Sequence, residues 1–136
     1  AGSVSGVRRS ATRGFLNTAV ALNRPYNSCL QNWYLPDHRI GLHSDDEKSH
    51  VPNLPIFSLS WGGERRFVFR PRPQLLARSP GLCVHEKSCD VMLRDGDLLV
   101  MGGSCQATHK HEVPKVRKTK DPPTGPRINW TIRAFK

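Results

Sequence analysis

His43 and Asp45, an imidazole and a carboxylate two residues apart, sit in the run Gly41-Leu42-His43-Ser44-Asp45-Asp46-Glu47. In extended chain, side chains at i and i+2 leave the same face about 6.6 Å apart at the backbone, so both tips can converge on one ion. A mixed set of imidazole and carboxylate suits iron, nickel or zinc better than calcium. Two histidines and one carboxylate on one side of an octahedron, with the opposite positions open, is the arrangement of non-haem Fe(II) oxygenases. The second histidine has to arrive from elsewhere, and by spacing alone either His109 or His111 could serve. H-x-D also occurs on ordinary solvated surfaces, so its meaning depends on the rest of the chain.

The last long apolar alternation, Arg127-Ile-Asn-Trp-Thr-Ile-Arg133, places Arg127, Asn129, Thr131 and Arg133 on one face of a strand and Ile128, Trp130 and Ile132 on the other. A half-buried strand shows such alternation with its polar face in water. Here, however, that face carries two guanidiniums and an amide and no acid. Arginine pairs bidentately with carboxylates, so a strand face with Arg at both ends and Asn between could hold a small dicarboxylate along its length. Asn32 and Tyr34, two apart in an earlier strand-like stretch, offer neutral hydrogen-bonding groups.

These residues need elements to carry them. At 136 residues the chain forms one domain with room for two packed layers, and its 11 Gly and 11 Pro cut it into short pieces that favour all-β architecture. Residues 1–6 read as a flexible N-terminus. Apolar residues at helical spacing over 7–23 (Phe15, Leu16, Ala19, Val20, Leu22) predict an amphipathic helix that covers one face of a sheet. Strands are expected around 26–35, at the His43 stretch, at 56–60 and 66–70 as a hairpin about Gly62-Gly63, at 91–93 and 98–101 around an Asp95-Gly96 turn, and at 127–133. A long basic connection spans 71–90, and residues 121–126 form a loop. The sum is mainly β, a double-sheet jelly roll or double-stranded β-helix with a covering N-terminal helix.

No run of 18 apolar residues predicts a membrane span. The N-terminus starts Ala-Gly-Ser without Met, as a trimmed or tagged chain would, and lacks the layout of a signal peptide. The four cysteines form no regular framework and read as free thiols of a reducing compartment, although Cys83, His85 and Cys89 could make half of a zinc site. A net charge of +10 points to a polyanionic partner, most simply nucleic acid.

Six motifs stand in order over residues 26–135: N-x-Y, H-x-D, P-I-x-S-L-S, G-D-L-L-V-M, H-x-V-P and R-I-N-W-T-I-R. Together they resemble the AlkB family of Fe(II)- and 2-oxoglutarate-dependent dioxygenases, in its branch that reverses alkylation of nucleic-acid bases. The resemblance implies that His43, Asp45 and His111 ligate iron, His111 being preferred to His109 by its H-x-V-P context. It implies that Arg127, aided by Tyr34 and Asn129, binds the distal carboxylate of 2-oxoglutarate, while Arg133 and Asn32 hold the end that chelates iron. Asp46 and Glu47 fall where family members contact the target base; both would look the same as solvated acids. Arg65, Arg66, Arg70 and Arg72 would line the approach of the phosphates, or form a generic basic surface.

The activity so implied is oxidative dealkylation of N-alkylated bases in DNA or RNA, with O2 as co-substrate and formaldehyde released, by a monomer acting in the nucleus or cytoplasm. A base inside a duplex cannot reach the iron and must be flipped or unpaired. Family members carry a nucleotide-recognition lid upstream of where this chain starts; here only a helix-like stretch precedes Tyr26, a departure that bears on the substrate rather than the iron chemistry. Three alternatives compete: a protein side-chain hydroxylase or demethylase, which the +10 charge disfavours; a non-catalytic nucleic-acid-binding module, against which the complete ligand set argues; and a cupin-like zinc protein, for which the two-arginine strand face would have no purpose.

Overall fold

The computed structural model of the chain describes residues 8–9, 26–52, 54–72, 88–117, 121 and 124–136. Their strands in chain order are β1 (Arg8–Arg9), β2 (Ser28–Tyr34), β3 (Ile40–His43), β4 (Ile56–Gly62), β5 (Arg65–Pro71), β6 (Cys89–Leu93), β7 (Asp97–Met101), β8 (His109–Val113) and β9 (Arg127–Arg133), with one short helix, α1 (Cys105–Thr108), before β8. The strands make two sheets, a five-stranded one in the order β1-β7-β4-β9-β2 and a four-stranded one in the order β3-β8-β5-β6. Every pairing is antiparallel. This is the two-sheet, jelly-roll arrangement expected from the short strands and turn residues.

The sheets enclose a core of Tyr34, Ile56, Phe67, Phe69, Leu93, Leu99, Met101 and Val113. Ile56 and Leu93 are completely buried. Alternation along each strand sends these residues inward. Strand β9 inverts the usual pattern: Arg127, Asn129, Thr131 and Arg133 are buried, while Trp130 is exposed and Ile128 and Ile132 half-buried. Its polar face therefore looks into the space between the sheets.

Three local expectations change. Arg8–Arg9 pairs with β7 as strand where the expected covering helix would begin, and the rest of that helix lies outside the described residues. Residues 56–60 and 66–70 do not form a hairpin, because β4 pairs with β7 and β9 whereas β5 pairs with β6 and β8. Gly62-Gly63 turns the chain from one sheet to the other. The Asp95-Gly96 turn likewise joins β6 in one sheet to β7 in the other, and Asp97 closes it by accepting from the Arg94 N–H at 2.8 Å. The 71–90 connection and the Cys83, His85 and Cys89 group lie mostly outside the described residues; Cys89 opens β6.

The turn at Gly62 helps to place Arg127, because the two residues stand opposite each other in the β4–β9 register. The φ of Gly62 is +86°, and a Cβ there would sit 2.5 Å from the Pro126 carbonyl oxygen. The Gly63 N–H donates to that same carbonyl at 2.8 Å. Gly62→Ala is therefore expected to lower the unfolding free energy by about 1–3 kcal/mol, read from urea unfolding. Unchanged stability would mean the turn relaxes without cost.

Candidate active site

His43 is the last residue of β3 and pairs directly with His111 of β8 across the four-stranded sheet. The two rings lie 4.4 Å apart at their centroids, and Phe67 stacks on His111 at 5.2 Å and 19°. The Nδ1 of His43 is 2.8 Å from the Gly41 carbonyl oxygen, which can only accept, so Nδ1 carries a proton and Nε2 is the nitrogen available to a metal. Asp45 follows just beyond the end of β3 and is buried. One ligand atom each from His43, Asp45 and His111 all lie within 4.8 Å of one another. His109 is not in that group.

The carboxylate of Asp45 is shared. Its Oδ2 is 3.4 Å from His111 Nε2, and its Oδ1 accepts from Arg133 Nη1 at 3.2 Å. Burial pushes its pKa upward, but the hydrogen bond and charge of His111, with the charges of Arg133 and His43, outweigh it and hold the carboxyl below its ordinary value of 3.8. Arg133 Nη1 also donates to Glu47 Oε1 at 3.0 Å, so Glu47 lies on the arginine rather than free in solvent.

Facing this group, β9 presents Arg127, only 2% exposed. Its Nη2 donates to Ser60 Oγ at 2.9 Å and Asn129 Oδ1 at 2.8 Å. Its Nε and Nη1 have no hydrogen-bond partner among the described residues, and no described carboxylate pairs with it. The Tyr34 ring lies between two guanidiniums, Arg127 at 5.1 Å and Arg65 at 5.8 Å. Burial lowers the Arg127 pKa and raises that of the Tyr34 hydroxyl, the latter against the pull of the arginines. Asn129 passes the network on, accepting from Ser58 Oγ at 2.9 Å and donating to Thr131 Oγ1 at 2.8 Å. One cavity is lined by His43, Asp45 and His111 and also by Tyr34, Arg127 and Asn129; Asn32 borders it too.

Both halves suit the groups that the donor chemistry suggests. Two imidazoles and a carboxylate are a first-row metal set with positions left open. Atoms about 2.1 Å from one ion stand at most about 4.2 Å apart, so a small inward movement of the side-chain tips brings all three onto it. A buried guanidinium with unsatisfied donors and no acid beside it calls for an anion, and a carboxylate fits its fork.

The four arginines expected along the phosphate path fare differently. Arg65 is 2% exposed and donates to the carbonyls of Leu35, His38 and Pro114, at 3.4, 2.7 and 2.9 Å. It points inward with Phe67 and Phe69, so the expectation that it meets phosphate is overturned. Arg66 pairs with Asp90 at 3.0 Å, Arg70 with Glu112 at 2.8 Å, and Arg72 with Asp46. Each of these three guanidiniums is thus already matched to an acid. Residues that sequence reasoning left without a role also take part: Ser60 and Ser58 beneath the arginine network, Phe67 on His111, and Gln106, whose Oε1 accepts from the Asp45 N–H at 3.0 Å. The S-x-S alternation in β4 was a visible signal for the serines. Gln106 had none, since its contact spans 61 residues of sequence.

Because the folded pKa of Asp45 is depressed, ionised Asp45 stabilises the metal-free protein above pH 3.8, and that contribution is lost as pH falls through its lower folded value. In urea unfolding of metal-free protein from pH 7 to 3, this acid-limb loss is expected in the parent and reduced in Asp45→Asn. Identical pH profiles would show that His111 and Arg133 do not stabilise the ionised form.

A family model described as the 2OG-Fe(II) oxygenase superfamily matches residues 8–133. Mouse alpha-ketoglutarate-dependent dioxygenase alkB homolog 3 is 35% identical over 109 residues, a match covering 79% of this chain and 36% of that protein. The Arabidopsis thaliana DNA oxidative demethylase ALKBH2 is 34% identical over 125 residues, covering 79% of this chain and 37% of that one. The chain therefore spans little more than a third of these relatives. The solved structure of OsALKBH1 superposes with a TM-score of 0.57 at 25% identity, covering 81% of this chain and 52% of the other. A metal triad and an anion-seeking arginine lining one cavity of a jelly roll are what this family's cofactors, Fe(II) and 2-oxoglutarate, require, and the chain belongs to the 2OG-Fe(II) oxygenase superfamily.

Proposed function

We propose that the chain is the catalytic core, over residues 7–136, of an oxidative dealkylase acting on N-alkylated bases in DNA or RNA. The observation that carries this is the single cavity bordered both by the His43, Asp45 and His111 tips and by Arg127, which has no described carboxylate beside it. In this reading His43, Asp45 and His111 hold iron. Arg127 receives the distal carboxylate of 2-oxoglutarate with Tyr34 and Asn129 beside it, and Arg133 and Asn32 steady the other end. Iron bound with 2-oxoglutarate and O2 would supply the oxidising chemistry that hydroxylates the alkyl carbon, with succinate, CO2 and formaldehyde as products.

The chain's own residues position and shield. The Gly41 carbonyl fixes the His43 tautomer. Phe67 covers one face of His111, keeping water from it and holding its plane. A second cavity of about 390 Å³ adjoins Asp45 and is also lined by Asp46, Glu47, His50 and Arg72, three carboxylates against one guanidinium. That volume is in the range of small-ligand sites, about 300–1,000 Å³. Its carboxylates repel a phosphodiester and favour a base, most of all one whose ring alkylation has left it cationic. We therefore read Asp46 and Glu47 as the edge against which a flipped or unpaired base sits. Support for a nucleic-acid substrate comes from the +10 charge and from similarity to a protein named as a DNA oxidative demethylase. Arg66 and Arg70 remain surface cations that can exchange an acid for a phosphate, since exposed ion pairs are weak.

Adding Fe(II) and 2-oxoglutarate without oxygen is expected to give a weak visible charge-transfer band, absent in His43→Ala; no band in the parent would remove the oxygenase reading. Formaldehyde release is expected from oligonucleotides carrying 1-methyladenine, 3-methylcytosine or N6-methyladenine, tested as DNA and RNA. Turnover confined to methylated peptides would transfer the same chemistry to protein substrates. Arg127→Met is expected to raise the 2-oxoglutarate requirement about 100-fold, since a charge-assisted pair in a buried site is lost; an unchanged requirement would move the co-substrate away from β9.

A further inference from the structure

We propose that Arg72 is a positioning residue for the metal carboxylate, a clamp that ties the loop carrying Asp45 to α1, and not a phosphate contact. The inference rests on reading Asp45 as an iron ligand. Asp45 lies past the end of β3, so the sheet pairing that aligns His43 with His111 does not reach it. Its carboxylate meets His111 and Arg133 of the strands, but the loop backbone that carries it is held by contacts outside the strand pairing. The Arg72 N–H donates to the Thr108 carbonyl at 2.9 Å. From the same residue, Nη2 reaches Ser44 Oγ at 2.7 Å, the Gln106 carbonyl at 3.1 Å and Asp46 Oδ2. Two hydrogens serve those three acceptors, so one contact is shared.

Gln106 completes the clamp through its side chain, whose Oε1 accepts from the Asp45 N–H at 3.0 Å. Ser44 Oγ in turn donates to the His109 carbonyl at 3.1 Å, fastening the loop to the start of β8. The residues on both sides of Asp45, and its own amide, are therefore held by one arginine and the turn of helix beneath it. The charge pair between Arg72 and Asp46 adds little by itself, because the two side chains are 25% and 55% exposed. Directionality is what the guanidinium supplies: it fixes where the loop sits. The hydrogen bonds of its Nη2 all go to protein acceptors, while its buried Nε has no partner among the described residues; the Asp46 carboxylate beside it disfavours a phosphate.

Titrating metal-free protein with Co(II), followed by visible absorption, tests this together with the salt dependence of oligonucleotide binding. Arg72→Met is expected to weaken Co(II) binding about 10-fold, as losing a group that orients a metal ligand does, with no change in the slope of log K against log salt. Arg72→Lys should recover part of the affinity. Gln106→Leu, at the other end of the same contacts, should also weaken Co(II), and the double variant should lose less than the two single losses combined. Normal Co(II) affinity in Arg72→Met with a slope smaller by about one would make Arg72 a phosphate contact and overturn the proposal. Should Arg72→Met fail to fold, undiminished Co(II) affinity in Gln106→Leu overturns it equally. If His43→Ala binds Co(II) as the parent does, the metal reading and the clamp fall together; if His43→Ala loses binding while Arg72→Met keeps it, only the clamp falls.

Discussion

A guanidinium buried between two sheets without a carboxylate beside it is the constraint on which the site depends. Desolvating a cation costs several kcal/mol unless something answers its charge. Arg127 receives partial compensation from Ser60 Oγ, Asn129 Oδ1 and the face of Tyr34. Those groups are neutral dipoles, and two of its nitrogens still lack partners among the described residues. The folded chain therefore holds a preformed demand for an anion, and meeting it requires no reorganisation of the binding groups. Such an arrangement survives only because strands β2, β4 and β9 are laced together around it, each contributing an inward polar side chain in register: Asn32 and Ser60 both stand opposite Asn129.

At the other end of β9, Arg133 meets a different electrostatic situation. Asp45 and Glu47 both contact it, and His111 takes the remaining oxygen of Asp45. The Asp45 contacts, 3.2 and 3.4 Å, lie at or beyond the long edge of ordinary hydrogen bonding. A carboxylate held that way stays ionised without being tightly committed to either partner, which suits a ligand that must turn toward a cation. The ends of β9 differ in this respect: Arg127 has no described carboxylate beside it, whereas Arg133 contacts carboxylates that the chain already owns.

Jelly-roll topology brings these pieces together because, from β2 to β9, the chain changes sheet at every connection except that from β5 to β6, whose strands pair. The turn at Gly62-Gly63 and the turn at Asp95-Gly96 both cross from one sheet to the other, so the two strands that each turn joins lie in opposite sheets instead of pairing. Local turn chemistry is the same for a hairpin and for a crossing, which is why the 56–70 stretch read as a hairpin. What decides between them is the set of distant partners each strand finds, β9 for β4 and β8 for β5.

From the sequence alone, element type and side-chain face were legible wherever the period of two was strict. Residues 127–133 are a strand with Arg127, Asn129, Thr131 and Arg133 on one face, as alternation requires. The same rule put Asn32 with Tyr34, and composition alone favoured short strands in two layers. The family motifs singled out His111 over His109, which spacing could not. Alternation, however, says which residues share a face and not which face is buried. That β9 turns its charged side inward was settled by the opposing sheet, whose His43, Asp45 and His111 enclose the polar space it looks into. Tertiary contacts likewise decide the basic residues in and just after β5. Arg65 is spent on carbonyls and Arg72 on the Asp45 loop, because contacts across tens of residues exist only once the chain has closed on itself.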